Sequence, residues 1–258
     1  MKIGWVLFRK EILEHIRNYK VIWMPIVFIL FGLTEPLTAY YLPEIVQSVG
    51  DLPEGTVISI PSPSSGEVLL SIMSQFSTFG VLVIVLGFMG TVAGERKNGN
   101  AVMVLVKPVP YTSYIYSKWL AALVLVWVSY SLGMLSGLYY INILFDGIDF
   151  NTFIQGFLVY GLWLTFIMTL VIFFSSLVQT PGLSAFYTIG STILITLFSG
   201  YMTKILKWSP GQLTNYVNDL ILHERWTENL SGTFVLTSIL CLSILLITPI
   251  LSRKIELS

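Results

Sequence analysis

The chain has 258 residues, 55% of them hydrophobic and only 11% charged, and its mean hydropathy is +0.79. Soluble domains carry about 25% charged residues, so this composition excludes a water-soluble globule. Lys+Arg and Asp+Glu both number 14, which leaves the net charge silent and makes the placement of charge the informative quantity. The single cysteine, Cys241, lies in an apolar run and excludes both an intramolecular disulfide and a cysteine-based zinc site.

The first twenty residues predict an amphipathic helix. Trp5, Phe8, Ile12 and Ile16 recur at i, i+3 and i+4 spacing, while Lys10, Glu14 and Arg17 fall on another face. Such a helix is expected to lie in the membrane interface and bend into the first span, with His15 as an interfacial side chain. A helix needs roughly 20 mostly apolar residues to cross about 30 Å of hydrocarbon. Six stretches meet that requirement, at about 21–41, 68–93, 119–145, 153–178, 183–202 and 233–251. In lipid their backbone groups must pair internally, which makes them helices. The expected fold is all-α: a polytopic membrane protein with six transmembrane helices and an N-terminal interfacial amphipathic helix over residues 1–20. The basic first residues lead straight into a full-length span, unlike a cleavable signal.

Span one carries Glu35, the one ionisable residue well inside a span, beside Pro36. Intramembrane acids are functional candidates by default. At a 1.5 Å rise per residue Glu35 is only about 9 Å from Tyr41, so a pathway or gating role and a carboxyl that reaches interfacial water both fit. Residues 42–67 are acidic and proline-rich, and predict a loop with little regular structure. Beyond span two, residues 94–118 read as a hydrophobic hairpin outside the membrane. There Asn98-Gly99-Asn100 breaks the charged extension, 101–106 is apolar, Pro108 and Pro110 stop it, and a helix starting near Thr112 runs through Lys118 into span three.

Gly90-x-x-x-Gly94 and Gly133-x-x-x-Gly137, the latter extended back by Ser129, permit close helix approach. Span five carries a polar stripe of Ser184, Thr188, Ser191, Thr192, Thr196 and Ser199. It faces either a helix–helix seam or a solvated pathway, with Thr188, Thr192 and Thr196 as the pathway candidates. Residues 203–232, with Trp208, Pro210, Trp226 and an apolar patch at 217–222, predict one or two short helices on the membrane surface.

Lysine and arginine placement sets the orientation. Lys2, Arg9, Lys10, Arg17 and Lys20 precede span one; Arg96, Lys97, Lys107 and Lys118 lie between spans two and three; Arg253 and Lys254 follow span six. These eleven share one side, against Lys204, Lys207 and Arg225 on the other. The asymmetry predicts a multi-pass protein of the cell membrane with both termini and residues 94–118 in the cytoplasm.

At that cytoplasmic segment the chain resembles the permease subunits of the type-2 ATP-binding cassette (ABC-2) exporter family. Those proteins typically have an N-terminal helix with a Lys-Glu pair, matched here by Lys10-Glu11. After span two they carry Glu-Arg/Lys-x-x-Gly, an apolar stretch, Pro-Val and a later Lys, matched by Glu95, Arg96, Gly99, Pro108, Val109 and Lys118. The outer end of span one, GLTEPLTAYYLPEIV, is similar to a Gram-positive subgroup. Asn100 departs from a usual Thr, and Pro110-Tyr111 from a usual small and basic pair. The resemblance covers essentially the whole chain and implies one transmembrane domain over 1–258.

It further implies an exporter permease that forms the translocation pathway and is driven by a separate cytoplasmic ATPase subunit. ATP and Mg would be held by that partner, with no cofactor or metal on this chain. A second permease subunit, as homodimer or heterodimer, and the lipid bilayer are the other implied partners, and no nucleic acid is. The residues placed at the ATPase contact are Glu95, Arg96, Lys97, Gly99, Lys107, Pro108 and Lys118; Arg96 and Lys97 equally suit simple positive-inside anchoring. The residues themselves agree on energy supply, since no G-x-x-x-x-G-K-[ST] phosphate loop occurs in the chain. An intramembrane enzyme fits poorly: there is no HExxH, and His15 and His223 both fall outside the spans. An ATP-independent channel or secondary transporter would keep coupling charges near the midplane, where only the off-centre Glu35 is available.

Overall fold

The computed structural model describes residues 2–49, 62–99, 110–223 and 225–256. Among them the regular elements are all helical: α1 (Lys2–Arg17), α2 (Lys20–Val49), α3 (Ser65–Gln75), α4 (Val81–Phe88), α5 (Ala93–Lys97), α6 (Tyr111–Leu144), α7 (Phe150–Leu177), α8 (Pro181–Tyr201), α9 (Leu213–His223) and α10 (Glu228–Glu256). A π-helical turn, Phe76–Gly80, joins α3 to α4, and a 3-10 turn, Pro210–Gln212, leads into α9. Six stretches are long and apolar enough to cross a membrane: α2, the α3–α5 stack, α6, α7, α8 and α10. The chain is an all-α polytopic membrane protein, as its apolar runs predict.

Local chemistry sets the helix starts. Ser64 and Glu67 form a capping box on α3, in which the Ser64 side chain accepts from the Glu67 backbone N–H while the Glu67 carboxylate accepts from the Ser64 N–H. Asp149 caps α7 by accepting from the N–H groups of Asn151 and Thr152. Pro181 opens α8, where its missing N–H costs nothing. Between α1 and α2 the chain turns on Tyr19, which holds φ +56° while its N–H still donates to the Ile16 carbonyl.

Packing centres on α7, in whose most apolar stretch 67% of the residues are buried, against 22% in α10. That contrast puts α7 in the middle and leaves α10 with an apolar outward face (Leu242, Leu246, Ile250) suited to lipid. An aromatic cluster ties α7 to its neighbours. Tyr130 stacks on Phe157 with ring centroids 4.7 Å apart and donates to the Phe157 carbonyl, and the Tyr160 hydroxyl meets Ser77 at 2.9 Å. The crossing of α2 on α6 is backbone to backbone. A Cβ on Gly32 would lie 2.1 Å from the Gly133 carbonyl oxygen, and one on Gly133 would lie 2.6 Å from the Phe28 carbonyl oxygen. The Gly133-x-x-x-Gly137 pattern therefore serves a contact within the chain.

Two expectations need correction. Residues 42–49, expected to be irregular, continue α2 straight through Pro43. A proline costs one helical hydrogen bond and crowds the carbonyl four residues back, but extending an existing helix past it avoids the larger cost of nucleating a new one. The inward face of α1 carries Glu11 and His15, while Trp5 and Ile16 are exposed. His15 is thus buried rather than interfacial, because α1 packs along α6 and presents to it the face that can pair charges.

Candidate functional site

The site lies where α1, α5 and the first turns of α6 converge at the end of the bundle that bears the N-terminus. The Lys118 ammonium is wholly buried, 3.0 Å from Glu11 Oε2 and 2.9 Å from Glu95 Oε1. Lys10 bridges the same two carboxylates, at 3.1 Å to Glu11 and 3.0 Å to Glu95, and reaches Glu14 at 3.6 Å. The Tyr114 hydroxyl donates to the second Glu95 oxygen, and Lys118 also sits 5.1 Å from the centre of the Tyr114 ring. A lone buried ammonium would be prohibitive. Two carboxylates and an aromatic face compensate this one, and Glu11 and Glu95 in turn each meet two lysines.

Sequence separation is what gives the cluster its mechanical character. Lys118 and Glu11 stand 107 positions apart, Lys10 and Glu95 stand 85 apart, and the three contributing helices are the N-terminal helix and the two that flank residues 98–110. Glu11, Glu14 and Glu95 bring their carboxylates within 4.8 Å of one another, the spacing of a metal site. The ammonium groups of Lys10 and Lys118 already occupy the space between Glu11 and Glu95 and offset two of the three charges.

Arg96, next along α5, extends the joint to two further helices. Its guanidinium donates to the Ser176 carbonyl at the end of α7, to the Ser252 carbonyl near the end of α10, and to the Tyr111 hydroxyl at the start of α6. A cation is favoured at such helix C-termini, where unpaired carbonyls concentrate negative potential. The break in span two at residues 89–92 is closed by Ser175 of α7. Its hydroxyl accepts from the Val92 and Ala93 N–H groups and donates to the Met89 carbonyl. A short stiff rod, α5, is thereby pinned across the ends of its neighbours.

His15 sits against Phe88 of α4, ring centroids 5.5 Å apart. Neither ring nitrogen has a hydrogen-bond partner among the described residues. Burial, followed by the nearby Lys20 and Lys118 charges, pushes its pKa down to about 4, so the ring is neutral at physiological pH.

Of the residues proposed for the partner contact, Glu95, Arg96 and Lys118 meet in this joint. Lys118 faces the interior, so it braces the segment from within. Lys97 and Gly99 are exposed, and Gly99 ends α5 with φ +73°, a conformation that favours glycine. Lys107 and Pro108 lie outside the described residues. Glu11 and Tyr114 were not among the sequence-derived candidates. Only the Lys10-Glu11 pair hinted at the former, and an i, i+4 relation between Glu11 and His15 was the one available signal for the inward face.

The pathway candidates lie in the middle and far half of the molecule. Thr188 is buried and donates to the Ser184 carbonyl at 2.8 Å. Thr192 and Thr196 line a cavity of about 350 Å³ bounded by the π-helical turn, α4, α7, α8 and α9, with Ser77, Thr78, Trp163 and Thr214 among its walls. A second cavity of about 220 Å³ has Ser77 and Thr214 in its wall as well and lies toward α9, beside Ser74, Tyr160, Asn215 and Asn218. Glu35, partly buried on α2, lines neither cavity.

A bundle of six spans, carrying a charged joint at one end and a largely apolar, hydroxyl-dotted cavity toward the other, defines a multi-pass membrane protein. The chain belongs to the ABC-2 transporter family: the model for ABC-2 family transporter proteins matches residues 5–251. Over 245 residues, 95% of each chain, it is 35% identical to the uncharacterized transmembrane protein YxlG of Bacillus subtilis (strain 168). Membership makes it the membrane-spanning permease type of subunit and implies an ATP-binding cassette ATPase as partner.

Proposed function

We propose that the chain is the permease subunit of an ATP-driven exporter, resides in the cell membrane with both termini in the cytoplasm, and receives force at the joint of α1, α5 and α6. The observation that carries this reading is the buried Lys118–Glu11–Glu95 cluster, which fastens the N-terminal helix to both helices flanking residues 98–110. A push from a cytoplasmic ATPase on that segment would reach α5 and α6 together and take α1 with them, because separating any one would strand a buried charge. Arg96 would pass the motion on to the ends of α7 and α10. The nucleotide and its Mg belong to the partner, and a second permease subunit completes the pathway. Lys97 and Gly99, exposed at the tip of α5, are the contact residues on this side, with Lys107 and Pro108 assigned to the same contact from sequence.

Affinity purification in mild detergent tests the reading. Vanadate-sensitive ATP hydrolysis should accompany the chain through a co-purifying subunit with a phosphate loop. An Asn98→Cys variant in a Cys241→Ala background should react with an impermeant maleimide only after cells are opened. A chain that purifies alone without hydrolysis, or labelling of intact cells, overturns it.

A further inference from the structure

We infer that the outward face of α1 docks on an anionic bilayer surface through Arg9 and Arg17, and that membrane charge thereby helps to seat the joint of α1, α5 and α6. Trp5, Arg9, Leu13 and Arg17 are all exposed, and their four-residue spacing places them in one stripe along the helix. Val6 and Ile16 flank it, 65% and 50% exposed beside Trp5 at 67%. Apolar side chains interleaved with cations on one face suit a helix that lies in the membrane interface.

The sorting of charge on α1 selects an anionic surface. Both acids of the helix are spent away from the stripe: Glu11 pairs with Lys10 and Lys118, and Glu14 pairs with Lys10. Among the described residues neither Arg9 nor Arg17 is ion-paired. At 1.5 Å per residue they stand about 12 Å apart along the helix, so each meets its own headgroup phosphate.

Continuity with span one selects lipid over a soluble protein. The exposed apolar surface crosses the Tyr19 turn and runs on as Ile22, Ile26 and Leu30 of α2, inside a stretch able to cross the membrane. Tyr19 and Trp23, exposed at that turn, are rings of the kind that settle at headgroup level. A soluble partner could not follow this surface into hydrocarbon. On its other face α1 carries Lys10 and Glu11, which hold Glu95 and Lys118. The helix is therefore gripped from two sides and lifts only when both let go. The lipid contact stands apart from the transporter reading; its effect on coupling rests on it.

The test is hydrogen exchange of α1 amides in the purified chain, without any ATPase, in two kinds of nanodisc. One is phosphatidylcholine alone and the other contains about one-third phosphatidylglycerol. The anionic lipid should slow exchange of α1 about 25-fold, five-fold for each arginine. Salt at about 0.5 M, which cuts the Debye length to about 4 Å, should remove most of that gain. Arg9→Gln with Arg17→Gln should abolish it while matching the wild type in phosphatidylcholine, which reports an intact fold. Exchange in α9, which carries no lysine or arginine, should be the same in both lipids.

Equal α1 exchange in the two lipids overturns the inference and leaves this face to a soluble partner. A phosphatidylglycerol effect that survives in the double variant, or that appears equally in α9, overturns it too. Soluble glycerol phosphate added to phosphatidylcholine discs should do nothing; protection by it would make the site one for a free anion and sink the bilayer as occupant. Because neither ATP nor a partner is involved, a failure of ATPase coupling leaves the result standing.

Discussion

The two ends of this molecule handle buried polarity in opposite ways. At the joint of α1, α5 and α6, each buried charge has more than one partner: Lys118 meets two carboxylates and Glu95 meets two lysines and a tyrosine hydroxyl. In the cavity walled by Thr192, Thr196 and Trp163 no charge is present among the described residues, and the Thr192 and Thr196 hydroxyls donate to carbonyls of their own helix. A fully satisfied network resists separation, because parting any helix orphans an ion. The two threonine hydroxyls hold no neighbouring helix, so moving one helix past another there breaks neither bond. The contrast is between polarity that ties three helices together and polarity spent within one.

The comparison is broken most decisively at Lys118. Lys118→Met would leave Glu11 and Glu95 facing each other with only Lys10, which is 43% exposed, to neutralise both. Removing one partner of a buried pair costs about 3–5 kcal/mol, so the thermal midpoint in nanodiscs should fall steeply. Adding Glu11→Gln to Lys118→Met should restore a measurable part of that loss, because the orphaned carboxylate disappears with it. A Lys118→Met melting curve that overlays the wild type would remove the locking role.

A smaller effect is expected from acid at His15. Undocked, the imidazole takes up a proton near pH 6.5; docked, it resists until about 4. Above 6.5 both forms are neutral and docking is unaffected. Between 6.5 and 4 the undocked helix gains a proton that the docked one does not, so α1 binds more weakly as the pH falls, by about 2 kcal/mol at pH 5. Comparing wild type with His15→Phe isolates this contribution, since the acid effect on Glu95 is common to both. The wild type should lose more stability between pH 7.5 and 5 than His15→Phe does. Equal losses would mean that His15 is not held neutral against Phe88 of α4.

Six spans were legible in the sequence because length and apolarity in lipid leave the backbone no other choice. Glu95, Arg96 and Lys118 were legible as a cluster of interest for a different reason, namely their order around Gly99 and Pro108. Their inward bonding was not legible. A lysine at a membrane boundary has the same sequence signature whether it snorkels to water or is buried, as Lys118 is, against an acid 107 positions away. The rotation of α1 on α6 decides that, and the apolar periodicity of Trp5, Phe8, Ile12 and Ile16 reported on the outward face without saying what the inward one carries. In span five the alternative of seam or pathway was real. Thr188 and Ser184 are buried, while Thr192 and Thr196 reach a cavity, so one stripe meets both packed neighbours and open space.

That division gives the smallest prediction and the finest edge to the comparison. Thr192→Val keeps the branched shape of the side chain and deletes only the hydroxyl, whose hydrogen bond runs 2.8 Å back to the Thr188 carbonyl of its own helix. Hydroxyl bonds inside membranes average about 0.6 kcal/mol, and the Thr188 carbonyl keeps its helical N–H partner, so the melting midpoint should move by far less than for Lys118→Met. The cavity wall and the joint would then part company in what they contribute to stability. If Thr192→Val destabilised the protein as much as Lys118→Met, the cavity wall would itself be part of the locking framework, and the two ends of the molecule would differ in chemistry but not in task.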